Sequence, residues 1–407
     1  MNKVVVVDSV RSGITKSFRG RLRDTRPDDL AAYVINALLA RHNSFDPQSV
    51  DDCIIGCAFP EGAQGMNTAR NIAALSALSV NCSGTTVNRY CASGLQAIAF
   101  GAGQILSGNA SALVAGGVES ISMTLKHINT NHLYNQRIQQ DIPGIYLGMD
   151  IENPATEFIK NVFNSMGQTA EIVAKKYGIS RVAQDEYALL SQQRIAHAQT
   201  SGYFSSEIIP FPIQRQKKAS TEIDTYILNQ DECNKPDTNL ENLLALSPSF
   251  VDGGTATAGN SSQITDGASM CLLASDTFCD QHQLQRLGYF HGMVTAGCAP
   301  EEMGAGPLYA VKKLLKQHKL QISDVDLFEM NEAFASTTLY CQQSLRIPME
   351  KLNVCGGAIG LGHPFGMTGS RLVGRILRDL KRLDKRLGIV TLCVGGGMGV
   401  AALVERA

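Results

Sequence analysis

The sequence is short of three things, and each absence narrows what the protein can be. Net charge is the first: 36 basic and 37 acidic residues leave −1 over 407 residues, and charged residues are only 18% of the chain. No field of one sign points to nucleic acid or an anionic membrane as partner, so an anionic ligand must be met by a local patch. Long apolar runs are the second. The opening "MNKVVVVDSVRSG" has four valines before Asp8, too few for a signal-peptide core, and no later stretch holds the ~18 uninterrupted apolar residues of a spanning helix. The C-terminal "VERA" is not a peroxisomal address, so a soluble cytoplasmic protein without a membrane span is expected. Matched cysteines are the third. Eleven is an odd number, in a chain too large to need staples, so reduced thiols are expected. Cys53 and Cys57 lack a second Cys or His pair nearby, so no metal site is expected.

What is present is an apolar, glycine-rich chain: 44% hydrophobic residues and 38 glycines indicate a folded protein of two or three domains. Short β-rich runs ("VVVVD", "DDCIIGCAF", "GTTVN", "SALVAGG") alternate with helical patterns, which argues an α/β fold with a mainly parallel sheet. The last third repeats the alternation. "ALVAGGVES" and "TLCVGGGMG" both end an apolar strand in a glycine turn, a repeat weak in identity but fair in order of elements. From about Met123 to Ser249 the texture turns polar. Two helices are expected there, "SMGQTAEIVAKKYG" and "SRVAQDEYALLSQQRIAHAQTSG", the second capped by Ser180 and stopped at Gly202. This inserted region reads as a ligand-binding lid or as an ordinary decorative loop.

Four segments combine reactive side chains with glycine-rich backbone. In "TTVNRYCASGLQAIAF", Cys91 stands where a strand gives way to a helix, whose N–H groups and dipole would lower a thiol's pKa below about 8.5. It is a nucleophile or a structural core cysteine. In "NVCGGAIGLGHPFGMTG" six glycines surround His363, whose backbone is restricted by Pro364. The glycine spacing is wrong for a dinucleotide fingerprint, and His363 fits an acid/base group. In "CVGGGMG", Cys393 ends a strand at a turn whose amides could stabilise an oxyanion. In "EMNEAFA", Asn331 either caps a helix or orients a water. Two cysteines and a histidine in such turns suggest acyl transfer through a thioester, one thiolate attacking a carbonyl and a second thiol moving a proton to or from carbon.

These segments, with "GGVES", "SMGQTAE", "ISRVAQDEYALLSQQRI" and "TAGNSSQITDGAS", resemble those of the thiolase family, in order and over nearly the whole chain. The resemblance implies two similar mixed-sheet α/β domains (residues 1–122 with 250–283, and 284–407) and an inserted loop domain (123–249). It implies coenzyme A thioesters as substrates, coenzyme A as co-substrate with no tightly bound cofactor, and a homodimer or homotetramer. It further implies that Cys91 is acylated, His363 activates it, and Cys393 protonates the departing acetyl-CoA carbanion. His363 and a water held by Asn331 would form one oxyanion hole, and the N–H groups of Cys91 and Gly395 the other. Ser262, Met166, Met303, Ala333 and Phe334 would line the pantetheine and acyl tunnel. Arg215, Lys217 and Lys218 are candidates for the coenzyme's phosphates, or members of a solvated loop.

"VNRYCASGLQ", "SMGQTAE" and "GNSSQITDG" look more like the degradative 3-ketoacyl-CoA enzymes of fatty-acid β-oxidation than the acetoacetyl-CoA enzymes, which more often carry His-Met-Gly at Ser165-Met166-Gly167. Such an enzyme could dock with a hydratase/dehydrogenase partner. The alternatives are an acetoacetyl-CoA thiolase and a thiolase-like protein that binds acyl-CoA or lipid without turnover. Three departures from the family pattern, the stretch 126–164, Gly360 and Met367, are expected to reshape the acyl pocket.

Overall fold

Each strand of the main sheet serves two cores at once, because successive residues point to opposite faces. In β1 (Val4–Arg11), Val4 and Val6 enter one hydrophobic cluster while Val5, Val7 and Val10 enter another. The computed structural model describes residues 3–42, 45–125, 164–216 and 223–407. The other strands are β2 (Thr15–Lys16), β3 (Asp52–Gly56), β4 (Ser83–Val87), β5 (Ala112–Glu119), β6 (Phe211–Gln216), β7 (Ile223–Leu228), β8 (Thr265–Ser275), β9 (Gly288–Gly297), β10 (Leu327–Met330), β11 (Leu387–Val394) and β12 (Met398–Arg406).

The main sheet has the order β10-β11-β12-β9-β1-β8-β5-β3-β4, with β2 joined to β8. From its centre outward, one half reads β1, β8, β5, β3 and the other β9, β12, β11, β10, the same sequence of chain positions in both. The internal repeat is thus structural, with β5 and β11 in equivalent places; only β11 is followed by a glycine turn, because Gly116 and Gly117 of β5 are paired inside the strand. The two similar halves meet edge to edge in one sheet through a two-residue pairing, Val5 with Tyr289 and Val6 with Gly288. The insertion falls between β5 and β8. It contributes the helix Met166–Tyr177, opened by a Ser165/Gln168 capping box, and the helix Arg181–Thr200, capped by Ser180 and followed by Gly202 at φ +71°. It also contributes the hairpin β6–β7, which lacks a clean apolar alternation in sequence because most of β7 is exposed.

Two helices in equivalent places of the repeat, Ser93–Leu106 before β5 and Phe365–Arg382 before β11, fill the middle layer between the halves. Their Leu95, Ile98, Ile105, Leu372, Val373, Ile376 and Leu377 share a core with Leu273 of β8 and Leu392 of β11. The helices Pro27–Ala40 and Thr68–Leu75 cover the outer face of the first half, and Gly306–His318 and Ala335–Leu345 that of the second.

The helix Phe365–Arg382 is buried without interruption from Gly366 to Leu377, although it carries charges. Arg375 pairs with Asp379 and with Glu207 of the insertion at 3.0 Å, while Arg11 pairs with the same Glu207 at 2.7 Å and with both oxygens of Asp231. Isolated, such charges cost several kcal/mol each in a dry interior; this network leaves none of these five unpaired.

Glycines decide how closely the middle layer meets the sheet. A Cβ on Gly117 of β5 would lie 1.9 Å from the Gly366 carbonyl oxygen, and one on Gly369 2.4 Å from the Leu95 nitrogen. Gly103 has nothing within 4 Å. Gly117→Ala is therefore expected to destabilise by at least the ~1–3 kcal/mol of an overpacked core, whereas Gly103→Ala, on an exposed helix face, should stabilise by ~0.5–1 kcal/mol. Urea denaturation midpoints of the two variants would order the other way if the close approach were absent.

Candidate active site

Cys91 sits in a single 3-10 turn, Tyr90–Ala92, which leads into the helix Ser93–Leu106. Tyr90 adopts φ +43°, a strained value for a residue with a side chain. Local bonds hold it there: Tyr90 N–H donates to Asn88 Oδ1 at 2.8 Å, and the Ser93 hydroxyl accepts from Arg89 N–H and donates to Tyr90 O at 2.7 Å. The backbone N–H groups of Gly395 and of Cys91 itself act to favour a thiolate at the Cys91 sulfur. Gly395 belongs to the turn after β11, so each half of the repeat contributes one of these amides.

The expected drop in the Cys91 pKa is not what the structure supports. Burial outweighs the two amides and pushes the thiol up to about 12. The sulfur lies one turn ahead of the α-helix proper, surrounded by protein.

His363 is held on every side. Its N–H donates to Gln263 O at 3.0 Å, and the Phe365 ring meets the imidazole edge-on at 4.9 Å between centroids. Nδ1 lies 2.7 Å from Thr368 Oγ1, whose own hydrogen goes to Pro364 O at 2.8 Å. The hydroxyl oxygen must then accept, so the proton sits on Nδ1 and Nε2 is the basic nitrogen. Asn331 Nδ2 donates to that Nε2 at 3.2 Å. Burial first, and the Arg371 guanidinium second, pull the imidazole down to about 3. Both partners of the expected Cys–His pair are therefore neutral in the free protein.

Asn331 does not cap a helix: the next helix, Ala335–Leu345, starts after Phe334. Its backbone N–H donates to Thr391 O, which sets the end of β10 beside β11, two residues before Cys393. Cys393 is buried in a small cluster with Met303, Ala333 and Phe334, against which Met166 packs. Burial drives its pKa up, and the Cys91 sulfur adds to that. Ser262 joins the same wall, its N–H bonding Ala333 O at 2.9 Å. Met166 also faces Gly395, where a Cβ would meet its sulfur at 3.8 Å.

Not every expectation meets this site. Gly360 and Met367 do not line the Cys393 cluster. A Cβ on Gly360 would strike Ile195, and Met367 is buried with Ile14, Ile195 and Phe204, so both serve packing against the insertion. Lys217, Lys218 and the stretch 126–163 lie outside the described residues; Arg215 stands on β6 opposite Asp224.

Sequence reasoning missed three supports. Thr368 sets the histidine tautomer, and its signal was a hydroxyl one turn after His-Pro. Glu119, in "GGVES", is fully buried and accepts from Ala58 N, Phe59 N, Gln64 Nε2 and Gly366 N at 2.7–3.3 Å, tying β5 to the start of the His363 helix. Glu332 accepts from Tyr187, Ser191, Asn353 and Ile359 N, fixing the insertion and the glycine loop around Asn331.

A thiol raised this far shows no thiolate plateau near neutrality. The alkylation rate of Cys91 in the free protein should rise about tenfold per pH unit up to about pH 9. A plateau below pH 8 in an iodoacetamide series would mean that an ion pair with His363 already exists.

Residues 4–277 match the family described as "Thiolase, N-terminal domain" and residues 284–406 "Thiolase, C-terminal domain". The chain is 40% identical to a 3-ketoacyl-CoA thiolase of Bacillus subtilis (strain 168), covering 100% of both proteins. It is also 40% identical to a peroxisomal 3-ketoacyl-CoA thiolase of Homo sapiens, covering 99% of this chain and 90% of that one. Among solved structures, the dimeric peroxisomal thiolase of Saccharomyces cerevisiae superposes with a TM-score of 0.88 at 35% identity, over 100% of this chain and 97% of that chain. The Bacillus anthracis acetyl-CoA acetyltransferase superposes with a TM-score of 0.87 at 34% identity, over 100% of this chain and 99% of that chain. With both family domains matched end to end and the reactive groups assembled where the two halves meet, the chain belongs to the thiolase family.

Proposed function

We propose that the protein is a 3-ketoacyl-CoA thiolase, which cleaves 3-ketoacyl-CoA with coenzyme A to acetyl-CoA and an acyl-CoA shortened by two carbons, in fatty-acid β-oxidation. The observation that carries the reading is that the Gly395 and Cys91 amides both favour the Cys91 thiolate, that Cys393 is buried close enough to feel that sulfur, and that His363 carries its proton on Nδ1 and leaves Nε2 as the basic nitrogen. The names of the relatives at 40% identity over the full chain supply the substrate class.

In this mechanism Cys91 Sγ attacks the C3 carbonyl and His363 Nε2 takes its proton. The charge develops on the carbonyl oxygen, which the Cys91 and Gly395 amides meet, and these fixed donors need no reorganisation as it forms. The C2–C3 bond breaks; the acetyl-CoA enolate oxygen is met by His363 and a water on Asn331, and Cys393 gives its proton to the carbon. Coenzyme A then attacks the acyl-Cys91 thioester, its thiol proton passing to the Cys393 thiolate, and His363 returns its proton to Cys91. Every group ends in its starting state. His363 and Cys91 begin neutral, so substrate binding and proton transfer together generate the nucleophile, with no standing charge in a dry pocket. Met166, Ser262, Met303, Ala333 and Phe334 form the wall along which the pantetheine and acyl chain run, with Arg215, Lys217 and Lys218 offered to the coenzyme's phosphates. The reading includes a homodimer, as in the yeast structure, a cytoplasmic location, and docking to a hydratase/dehydrogenase partner.

The fold likeness to an acetyl-CoA acetyltransferase supports a second reading, acetoacetyl-CoA thiolase. Thiolysis rates across 3-ketoacyl-CoA chain lengths separate the two: activity on medium and long chains is expected, and activity confined to acetoacetyl-CoA would replace the first reading with the second. Cys91→Ala should lower kcat by about 10⁴-fold or more, and an undiminished rate would sink the mechanism. Cys393→Ala should retain acylation of Cys91 by a simple acyl-CoA while carbon–carbon cleavage slows by about 10²-fold or more; equal loss of both would remove its separate role. Thr368→Val leaves Nδ1 without an acceptor and should cut kcat about 10–100-fold with KM little changed.

A further inference from the structure

We infer that Arg371 is a positioning residue for the thiolase reaction: with Glu329 it forms a buried polar wall behind Asn331 and His363 and holds, through ordered water, the Asn331 amide that faces the imidazole. The inference rests on the catalytic reading of His363 given above.

Three observations carry it. Along β10 the side chains alternate, so Phe328 and Met330 enter the outer core while Leu327, Glu329 and Asn331 share the face turned to the helix Phe365–Arg382. Arg371 lies on that helix, is 2% exposed, and is the charge that both Glu329 and His363 feel most strongly. Among the described residues, Arg371 Nε and Nη2, Glu329 Oε2 and Asn331 Oδ1 have no hydrogen-bond partner, although all are buried. Buried polar atoms in folded proteins are satisfied by protein or by ordered water, and a water bridging donors of a guanidinium to a carboxyl and an amide oxygen meets that requirement for all four. The bridge also gives Asn331 a direction. With Oδ1 accepting from the Arg371 side, Nδ2 is turned to His363 Nε2, the orientation found at 3.2 Å. The reversed amide would set an oxygen against the imidazole lone pair.

The titratable and charged groups on the elements around His363 are Cys91, Cys393, Glu119, Asp266, Glu329, Glu332 and Arg371, with Arg375 and Asp379 farther along the same helix and Arg11, Glu207 and Asp231 behind Arg371. The thiols are neutral, and Arg371 is the one that acts on the imidazole, opposing a positive charge there. Burial pushes Glu329 up to about 8, so near neutrality its carboxyl is largely protonated and the guanidinium is the net charge of the wall. Without that cation, His363 protonates at higher pH and ceases to be a base there, so the acid limb of the rate profile must move up.

The test compares Arg371→Met, Arg371→Lys and Glu329→Gln in the full-length protein, with thermal melts to establish folding and wild-type thiolysis to establish the reaction itself. For folded Arg371→Met, the acid limb of kcat/KM should rise by about one pH unit or more and kcat should fall about tenfold or more with KM within about threefold. Arg371→Lys keeps the cation and Glu329→Gln keeps a neutral hydrogen-bonding group, so both should retain the wild-type acid limb. An unmoved limb in Arg371→Met, or equal losses in Met and Lys variants without a limb shift, would overturn the inference. A high-resolution crystal structure of the wild-type protein decides the water bridge independently of activity. Ordered water touching Arg371, Glu329 and Asn331 is expected, and a dry contact there would refute it even if thiolysis were confirmed.

Discussion

The rest of this molecule depends on burying one helix on all sides. Phe365–Arg382 lies between the two half-sheets and against Ser93–Leu106, its first three turns enclosed by apolar side chains of both. Such a helix has no solvent in which to park polar groups, so its charges must find partners in the chain. Arg375 and Asp379 pair with each other, and Glu207 and Asp231 of the insertion complete the set through Arg11. The insertion is therefore part of what makes the buried helix tolerable, beyond the wall it offers to a substrate through Met166. Close approach sets the other condition: Gly94, Gly117, Gly366 and Gly369 are small because backbone from a neighbouring element occupies the space a Cβ would take.

The chemistry follows from the same burial. The repeat places two equivalent helices side by side, and just before each first turn stands one reactive group, Cys91 on one and His363 on the other. The equivalent strands β5 and β11 flank the site; β5 ends in Glu119, which ties the loop after β3 to the start of the His363 helix, and the glycine turn after β11 presents the Gly395 amide. In so dry a site a standing thiolate–imidazolium pair would be costly, and the shifts of both groups run toward neutrality. Amides that cost nothing to reorganise are then worth most at the moment a negative oxygen appears.

Much of this was legible in the chain. Alternating apolar runs and helical periods gave the α/β class, because period 2 and period 3.6 are local properties; Ser165, Ser180 and Gly202 marked helix ends for the same reason. Cys91, His363 and Cys393 stood out because glycine-rich turns beside reactive side chains are visible in a line of letters; Asn331 stood out as a polar group between apolar runs, and Gly395 through the family resemblance. Thr368 and Arg371 did not, since nothing in "PFGMTGSRLVG" tells that the hydroxyl reaches back to Nδ1 or that the arginine faces inward. Gly360 and Met367 misled, because a departure from a family pattern shows that a position differs and not what it faces; here both face Ile195 of the insertion.

By itself the sequence determined the elements, their order, the family resemblance and the candidates for reactive side chains, all of which are written in local pattern and residue type. Tertiary structure alone decided their states and supports. The direction of each pKa shift depends on how much water remains around a group, the tautomer of His363 on which oxygen meets Nδ1, and the fate of each buried charge on residues up to two or three hundred positions away. Those are properties of contacts across the fold.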